Sequence, residues 1–501
     1  MDLSKALNRW FGYQTFREGQ KEIITSIMNE QHVLAMLPTG TGKSICYQLP
    51  ALLADGVTII VSPLLSLMEN QVQELKTLGI KNVVAINSFL NYDEKNEIFR
   101  KLSTYKMIYL SPEMLQSERL IARLMSMKVS YFIIDEAHCI SQWGHDFRPD
   151  YIRLSHVIAQ LNFPPTLAIT ATATEEVRKD IIQLLHLRDV KEHIYSVDRR
   201  NIALRIEEFS EPDDKWKRLI NLVEKLEGPG MIYFSSRKSA ERATRLLQQQ
   251  GQQVSYYHGG MTNNDRMLIQ QQFMQNQLSI ICCTNAFGMG INKNNIRYII
   301  HFHPPKQMES YLQEIGRAGR DRKKSISYLF YSSEDKHLTH RFIDIEQIEE
   351  VVIKRIVGLL SEQKTITTQL EESLQAQFNL SESTWRVFKY LLEKFQFIEN
   401  NQVKKLELNL LIDGLIKHYQ NRRMKRMKQW EYFEDFMNTR TCRREAILEF
   451  FTETLKDKPE ECCDICGFSD RRFWKRERNH VLNADKVQDW QQLLKKKLLQ
   501  V

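Results

Sequence analysis

The chain has 501 residues, 42% hydrophobic and 10% aromatic, with a formal net charge of +8. That length predicts roughly three domains and the apolar content argues against disorder. The modest positive balance permits a polyanionic partner without requiring one. No stretch is apolar enough to span a bilayer and the first residues hold no secretory core, so a soluble, cytoplasmic protein with no membrane partner is expected.

Ahead of the first apolar run stands Phe11-Gly-Tyr13-Gln-Thr-Phe-Arg17-Glu-Gly-Gln20. The Gln20 amide offers both a donor and an acceptor to adenine, and Tyr13 or Arg17 can stack on the ring, which suggests ATP; the competing reading is a surface turn with a core phenylalanine. Val33 to Leu37 reads as a buried strand, followed by Pro38-Thr39-Gly40-Thr41-Gly42-Lys43-Ser44 and an apolar helix start at Ile45. Strand, glycine loop and helix form a phosphate cradle, in which Lys43 reaches the β and γ phosphates and Ser44 binds Mg²⁺. Leu37 stands where the generic pattern has glycine.

The run Tyr131 to Ile134 ends in Asp135-Glu136, the layout of a buried parallel strand that delivers acids to a sheet's carboxyl edge. With Lys43 present, Asp135 is expected to hold Mg²⁺ and Glu136 to orient and deprotonate the attacking water. The following loop carries His138, Trp143, His145, Phe147 and Arg148, a mixture suited to stacking on bases beside the nucleotide. Met231 to Ser235, Ser279 to Cys283 and Ile296 to His301 read as strands of a second parallel sheet. Two such lobes make a cleft. Arg317 and Arg320, three apart after Ser310-Tyr-Leu-Gln-Glu, are predicted on one helical face, able to reach a γ-phosphate.

Several segments then occur in an order that resembles superfamily 2 helicases, and more narrowly the RecQ-type DNA helicases. They are Val61-Ser-Pro-Leu-Leu-Ser-Leu-Met-Glu-Asn-Gln71, Tyr109-Leu-Ser-Pro-Glu113, Asp135-Glu-Ala-His138 with its aromatic-rich loop, and Thr170-Ala-Thr-Ala-Thr174. Tyr256-Tyr-His-Gly-Gly260, Thr284-Asn-Ala-Phe-Gly-Met-Gly-Ile-Asn-Lys293 and Gln313-Glu-Ile-Gly-Arg-Ala-Gly-Arg-Asp321 complete the set. The resemblance covers residues 1 to about 340 and resumes at the late cysteines, departing at Arg200, where proline is common, and at Arg322, where glycine is usual. It implies an α/β protein of two tandem RecA-like lobes, 1–200 and 201–342, with Gln313 in the nucleotide site, Arg320 as the arginine finger and Arg317 as its partner. It further implies 3′ to 5′ translocation on single-stranded DNA, unwinding of duplex or branched DNA in repair and recombination, and a nucleoid-associated location, with a single-stranded-DNA-binding protein as a candidate partner. The Ser62, Ser111 and Thr284 segments would hold strand phosphates while Trp143, Phe147 and Arg148 sense the strand and signal to Glu136. The alternatives are an RNA or RNA–DNA hybrid remodeller, and a non-catalytic DNA-binding or annealing protein, against which the set Lys43, Asp135, Glu136 and Arg320 argues.

Residues 343–417 are an insertion not implied by the resemblance. Helical spacing over Ser383 to Phe395 and two short strands about Asn400-Asn401 suggest a winged-helix-like unit that either contacts and splits duplex DNA or is a scaffold packed on the zinc module. Residues 418–470 carry Cys442, Cys462, Cys463 and Cys466, a clustered thiol set that fits Zn²⁺ better than disulfides. Cys462 abuts Cys463, so its ligation would demand a strained backbone, and Glu460 or Glu461 is the substitute. The basic cluster Arg422, Arg423, Lys425, Arg426 and Lys428 reads as a solvated face or a polyanion contact. A basic tail, 471–501, leaves no room for the further helical nucleic-acid-binding domain of many relatives, which suggests a short bacterial form. The tail, with Phe473 and Trp474, either binds phosphates or is disordered.

Overall fold

The computed structural model describes residues 2–87, 90–141, 147–288, 293–345 and 347–475. Seven short strands build the first sheet: β1 (Val33–Met36), β2 (Val57–Val61), β3 (Val83–Ile86), β4 (Met107–Leu110), β5 (Val129–Asp135), β6 (Thr166–Thr170) and β7 (Lys191–Ile194). They pair in parallel in the order β3-β4-β2-β5-β6-β1-β7. Helices cover both faces, so β1 to β4 and β6 are buried along their length and are almost wholly apolar. Only the edge strand β7 is largely exposed.

The second sheet comprises β8 (Ile202–Phe209), β9 (Gly230–Tyr233), β10 (Val254–Tyr257), β11 (Ile280–Cys283), β12 (Tyr298–His301) and β13 (Ser325–Ser332), again parallel, in the order β10-β11-β9-β12-β13-β8. These are two RecA-like lobes joined between β7 and β8. Active residues collect at the carboxyl edges because in parallel sheets the loops after each strand all leave on that side. In the first sheet β1, β6 and β5 are consecutive neighbours, so the loop bearing Lys43 and the strand ends bearing Thr170 and Asp135-Glu136 lie side by side despite their separation in the chain.

Helices Glu350–Ser361, Thr368–Gln377 and Glu382–Lys394 follow, then a hairpin of β14 (Ile398–Glu399) and β15 (Gln402–Val403). Asn400 and Asn401 at its tip both have positive φ, 50° and 59°, the geometry that lets a two-residue turn match the strand twist. This unit has its own core, with Trp385, Phe388 and Leu391 packed against Leu411, Leu415 and Tyr419 from the first half of the long helix Leu408–Asn438. Glu371 serves inside the unit, accepting from Trp385 Nε1 at 3.0 Å and Lys389 Nζ at 2.6 Å. The scaffold reading had this unit leaning on the zinc module. Its core instead takes in Phe147 of the first lobe, while the three buried cysteines belong to a different cluster.

The cysteine segment docks on the exposed side of edge strand β8: Leu204 N–H donates to Cys462 O at 3.2 Å and Asp464 N–H donates to Leu204 O at 2.9 Å. An isolated β-bridge between Leu204 and Cys463 thereby covers part of the sheet edge. Phe473, placed by composition in a basic tail, is buried in the core of the second lobe, and Lys225 lies over the Trp474 ring at 5.2 Å. Residues 476–501 of that tail lie outside the described residues. Among the described residues no helix is long and apolar enough to cross a membrane.

Candidate active site

The loop after β1 turns through Gly40 and Gly42, at φ 85° and 81°, which only glycine adopts readily. Two upstream side chains brace it from outside. The Gln20 amide nitrogen donates to Thr41 O at 2.9 Å and Gly42 O at 3.0 Å, and Arg17 Nη1 donates to Gly40 O at 2.5 Å. Gln20 Oε1 in turn accepts from the Arg17 N–H at 2.9 Å. Predicted to face adenine, Gln20 and Arg17 here bond the loop backbone, while Tyr13 is 52% exposed at the rim of the same cavity.

That cavity, of about 320 Å³, is lined by Tyr13, Arg17, Gln20, Thr39, Gly40, Gly42, Lys43, Ser44, Asp135 and Glu136 of the first lobe, and by Gln313, Arg317 and Arg320 of the second. Asp135 is buried and its carboxyl is pushed up to about 7, chiefly by burial and then by Glu136 beside it, with Lys43 opposing. Such an acid, lining one cavity with Ser44, is the donor set a divalent cation fits, since the cation supplies the charge that burial withholds. Glu136 takes a left-handed backbone, φ 50°, between β5 and the 3₁₀ turn Ala137–Ile140. Its carboxylate lies 3.5 Å from Lys43 Nζ and 3.4 Å from His138 Nδ1.

His138 was predicted in the strand-sensing loop. It is only 1% exposed, and its Nδ1 lies 2.9 Å from Thr170 Oγ1, so it links Glu136 to the end of β6. Trp143 and His145 lie outside the described residues. Phe147 packs edge-on against Tyr390 at 6.2 Å, and Arg148 Nη1 donates to Pro63 O at 2.6 Å. The loop's far end therefore joins the insertion to the Val61–Gln71 segment.

Arg317 and Arg320 do not lie on a helix, as their spacing suggested. The helix Met308–Ile315 stops at Gly316, and both arginines sit in the turns that follow, where Gly319 has φ 55°. Arg317 is buried and donates to Gly288 O. Arg320 is pulled down to about 9, by burial and then by Arg317 and Arg199 nearby. It packs directly on the phosphate loop: a Cβ on Gly40 would meet Arg320 Cγ at 2.8 Å. A Cβ on Gly316 would meet Thr39 Oγ1 at 1.9 Å, so the lobes touch backbone to loop and only glycine permits it.

Arg199 escaped the sequence reading, which weighed only its neighbour Arg200. From the linker its guanidinium donates to Thr39 O at 2.6 Å in the first lobe, and to Gly316 O at 2.8 Å, Ala318 O at 2.9 Å and Gly319 O at 2.8 Å in the second. Next to it Asp198 pairs with the buried Arg444, which also donates to Arg199 O at 3.2 Å and Ile202 O at 2.6 Å. No spacing rule exposes such a residue, because its acceptors are backbone carbonyls brought together only by folding. Arg200 forms an exposed pair with Asp457, and Arg322 takes φ 64°, the region that suits the glycine usual there.

The four cysteine sulfurs lie within 4.8 Å of one another, Cys442 and Cys462 being 3.6 Å apart. Tetrahedral thiolates about 2.3 Å from one Zn²⁺ stand about 3.8 Å apart, so the set fits that ion. Cys463 is pulled down to about 4, first by the hydrogen bond from Cys462, whose own thiol is pushed up by it. Cys462 joins the cluster without positive φ, so adjacency imposes no left-handed strain. Glu461, the predicted substitute, is instead held by Lys324 at 2.6 Å and Arg472 at 2.5 Å.

Residues 17–181 match the DEAD/DEAH box helicase family, 214–322 the helicase conserved C-terminal domain, and 388–467 the RecQ zinc-binding family. The chain is 42% identical over 469 residues to the probable ATP-dependent DNA helicase RecS of Bacillus subtilis, covering 93% of this chain and 92% of that one. It is also 42% identical to the ATP-dependent DNA helicase RecQ of Haemophilus influenzae, over 65% of this chain and 52% of that longer one. Among solved structures, the DUF1998 helicase MrfA bound to DNA is similar with a TM-score of 0.58 at 17% identity, over 68% of this chain and 49% of that chain, a likeness of fold alone. The DEAD-box helicase Mss116 bound to single-stranded RNA is similar in the same sense, with a TM-score of 0.57 at 15% identity over 86% of this chain and 90% of that chain. Two RecA-like lobes that share one cavity, a clustered cysteine set and near full-length similarity to RecS lead to one conclusion: the chain belongs to the RecQ family of ATP-dependent DNA helicases.

Proposed function

We infer that the protein couples ATP hydrolysis to 3′ to 5′ movement on single-stranded DNA and so unwinds duplex or branched DNA in repair and recombination. The observation that carries this is the single cavity holding Lys43, Asp135 and Glu136 of one lobe with Gln313, Arg317 and Arg320 of the other. Ser44 and Asp135 would hold Mg²⁺, which supplies charge neutralisation at the phosphates. Glu136 orients and deprotonates the attacking water, Lys43 holds the β and γ phosphates, and Arg320, with Arg317 beside it, stabilises the charge that develops on the transferred phosphoryl. Tyr13, at the cavity rim, stacks on the adenine, while Gln20 and Arg17 hold the phosphate loop in shape from behind. Hydrolysis removes the charge that held Arg320 to the first lobe, the cleft opens, and the strand grip shifts.

The DNA substrate is supported by the two relatives, both ATP-dependent DNA helicases by name. A single-stranded DNA substrate supports a nucleoid-associated location, with a single-stranded-DNA-binding protein as the proposed partner. The test is ATPase rate with single-stranded DNA, duplex DNA and RNA, for wild type and Lys43→Ala, with unwinding of duplexes carrying a 3′ or a 5′ tail. Stimulation by single-stranded DNA, loss in Lys43→Ala and unwinding from the 3′ tail are expected. Activity that survives Lys43→Ala, or stimulation by RNA alone, would overturn the reading.

A further inference from the structure

Two more cavities open at the carboxyl edges of the sheets. One, of about 430 Å³, lies between Glu113 and Arg148 of the first lobe and the helices Glu382–Lys394 and Leu408–Asn438. The other, of about 540 Å³, lies between Ser235 and Asn285 of the second lobe and the same two helices. Ser383 and Arg426 line both, so the cavities meet there. Tyr419, Arg422 and Arg426 are three and four residues apart and share one face of the long helix.

The basic cluster on this helix is neither a solvated face nor a loose patch. Lys425 pairs with Glu176 of the first lobe, Arg423 with Asp344 at 2.8 Å, and Arg426 Nη1 donates to Gln307 Oε1 of the second lobe at 2.8 Å. Arg422 lies over the Phe147 ring at 6.0 Å. The helix is thus a strap across both lobes. Gln307 is 1% exposed, lines the second cavity, gives its oxygen to Arg426 and leaves its Nε2 donor without a partner among the described residues. A buried donor in a cavity wall is costly unless a ligand meets it.

We propose that this strap and the amino end of the helix Glu382–Lys394 form the outer wall of the single-strand path, with Arg422, Arg426 and Gln307 taking the phosphates of DNA as it crosses between the lobes. This rests on the helicase reading and adds a strand contact from outside both lobes. Guanidinium and amide donors suit phosphodiester oxygens and carry no base code, as a translocase requires. The carboxylates of the first cavity, Glu113, Asp150 and Glu382, all gather on Arg386, at 3.1, 3.9 and 2.5 Å, which offsets part of their charge.

The test is fluorescence anisotropy of a labelled oligothymidylate with the full chain across a salt series, for wild type, Arg422→Ala/Arg426→Ala, and Lys404→Ala/Lys405→Ala in the hairpin. Each lost phosphate contact lowers the slope of log affinity on log salt by about 0.7, so the first pair should flatten it by about 1.4 and the hairpin pair should not change it. An unchanged slope in Arg422→Ala/Arg426→Ala overturns the wall alone. A wild type that fails to bind the oligonucleotide overturns the helicase reading beneath it. Should the double variant not fold, photocrosslinking of wild type to a 4-thiothymidine oligonucleotide decides: adducts on residues 419–426 support the wall, and adducts confined to the two lobes overturn it.

Discussion

Replacing Arg199 with alanine tests how the lobes communicate. Its guanidinium is pulled down to about 10 by burial, still protonated at pH 7, and spans Thr39 O at 2.6 Å and three carbonyls of the arginine-bearing turn at 2.8–2.9 Å. Only the Thr39 bond crosses to the phosphate loop. A charge-assisted hydrogen bond contributes about 1.5–3 kcal/mol, so its loss should weaken closure by about 2 kcal/mol, or about 30-fold. ATP is held mainly by the first lobe, so its affinity should change less than about threefold while kcat falls about 30-fold. Steady-state ATPase and equilibrium binding of a fluorescent ATP analogue separate the two. Arg199→Lys keeps the charge with a smaller head and should recover part of kcat. An unchanged kcat refutes the argument, and so does a loss of ATP affinity as large as the loss in kcat, which would mark Arg199 as a support of the loop alone.

Glu136→Gln should abolish turnover while retaining ATP binding, because the amide keeps the shape and loses the base; product formation in a single-turnover assay at the wild-type rate would contradict this. Chelation of Zn²⁺, or Cys462→Ser, should lower the melting temperature and reduce the zinc content, since metal-binding energy is folding energy in such sites; a melting curve that stays put after chelation would exclude a structural ion. His303 Nδ1 accepts from Ser235 N–H at 3.3 Å, and burial, with Lys215 adding, pushes its pKa down from 6.5 to about 4. Between those values the unfolded chain binds more protons, so the contribution of His303 is complete above pH 6.5 and is lost as pH falls to 4, up to about 3 kcal/mol. His303→Asn should flatten the acid limb of the stability profile, and denaturant midpoints measured from pH 7 to pH 4 check it.

Local chemistry made much of the site legible along the chain. Glycines at Gly40 and Gly42, a lysine after them, and two acids ending an apolar run each carry their reason within a few residues, because a phosphate loop and a buried parallel strand are short-range patterns. The four cysteines announced a metal by number and clustering, and the Asn400-Asn401 turn announced its hairpin. What only tertiary structure decided are the relations between distant segments. Whether Cys462 could join Cys463 depended on a backbone path over β8. His138 became a buried link from Glu136 to Thr170 because β5 and β6 are neighbours in the sheet. The arginine pair lies beyond its helix, which ends at Gly316, the residue that meets Thr39 of the other lobe. Arg199 stayed invisible in the sequence, and the basic cluster Arg422–Lys428 was visible there without its partners, for one physical reason. Their partners are backbone carbonyls and side chains of other domains, and a charge-rich stretch looks the same whether water or a second lobe will meet it.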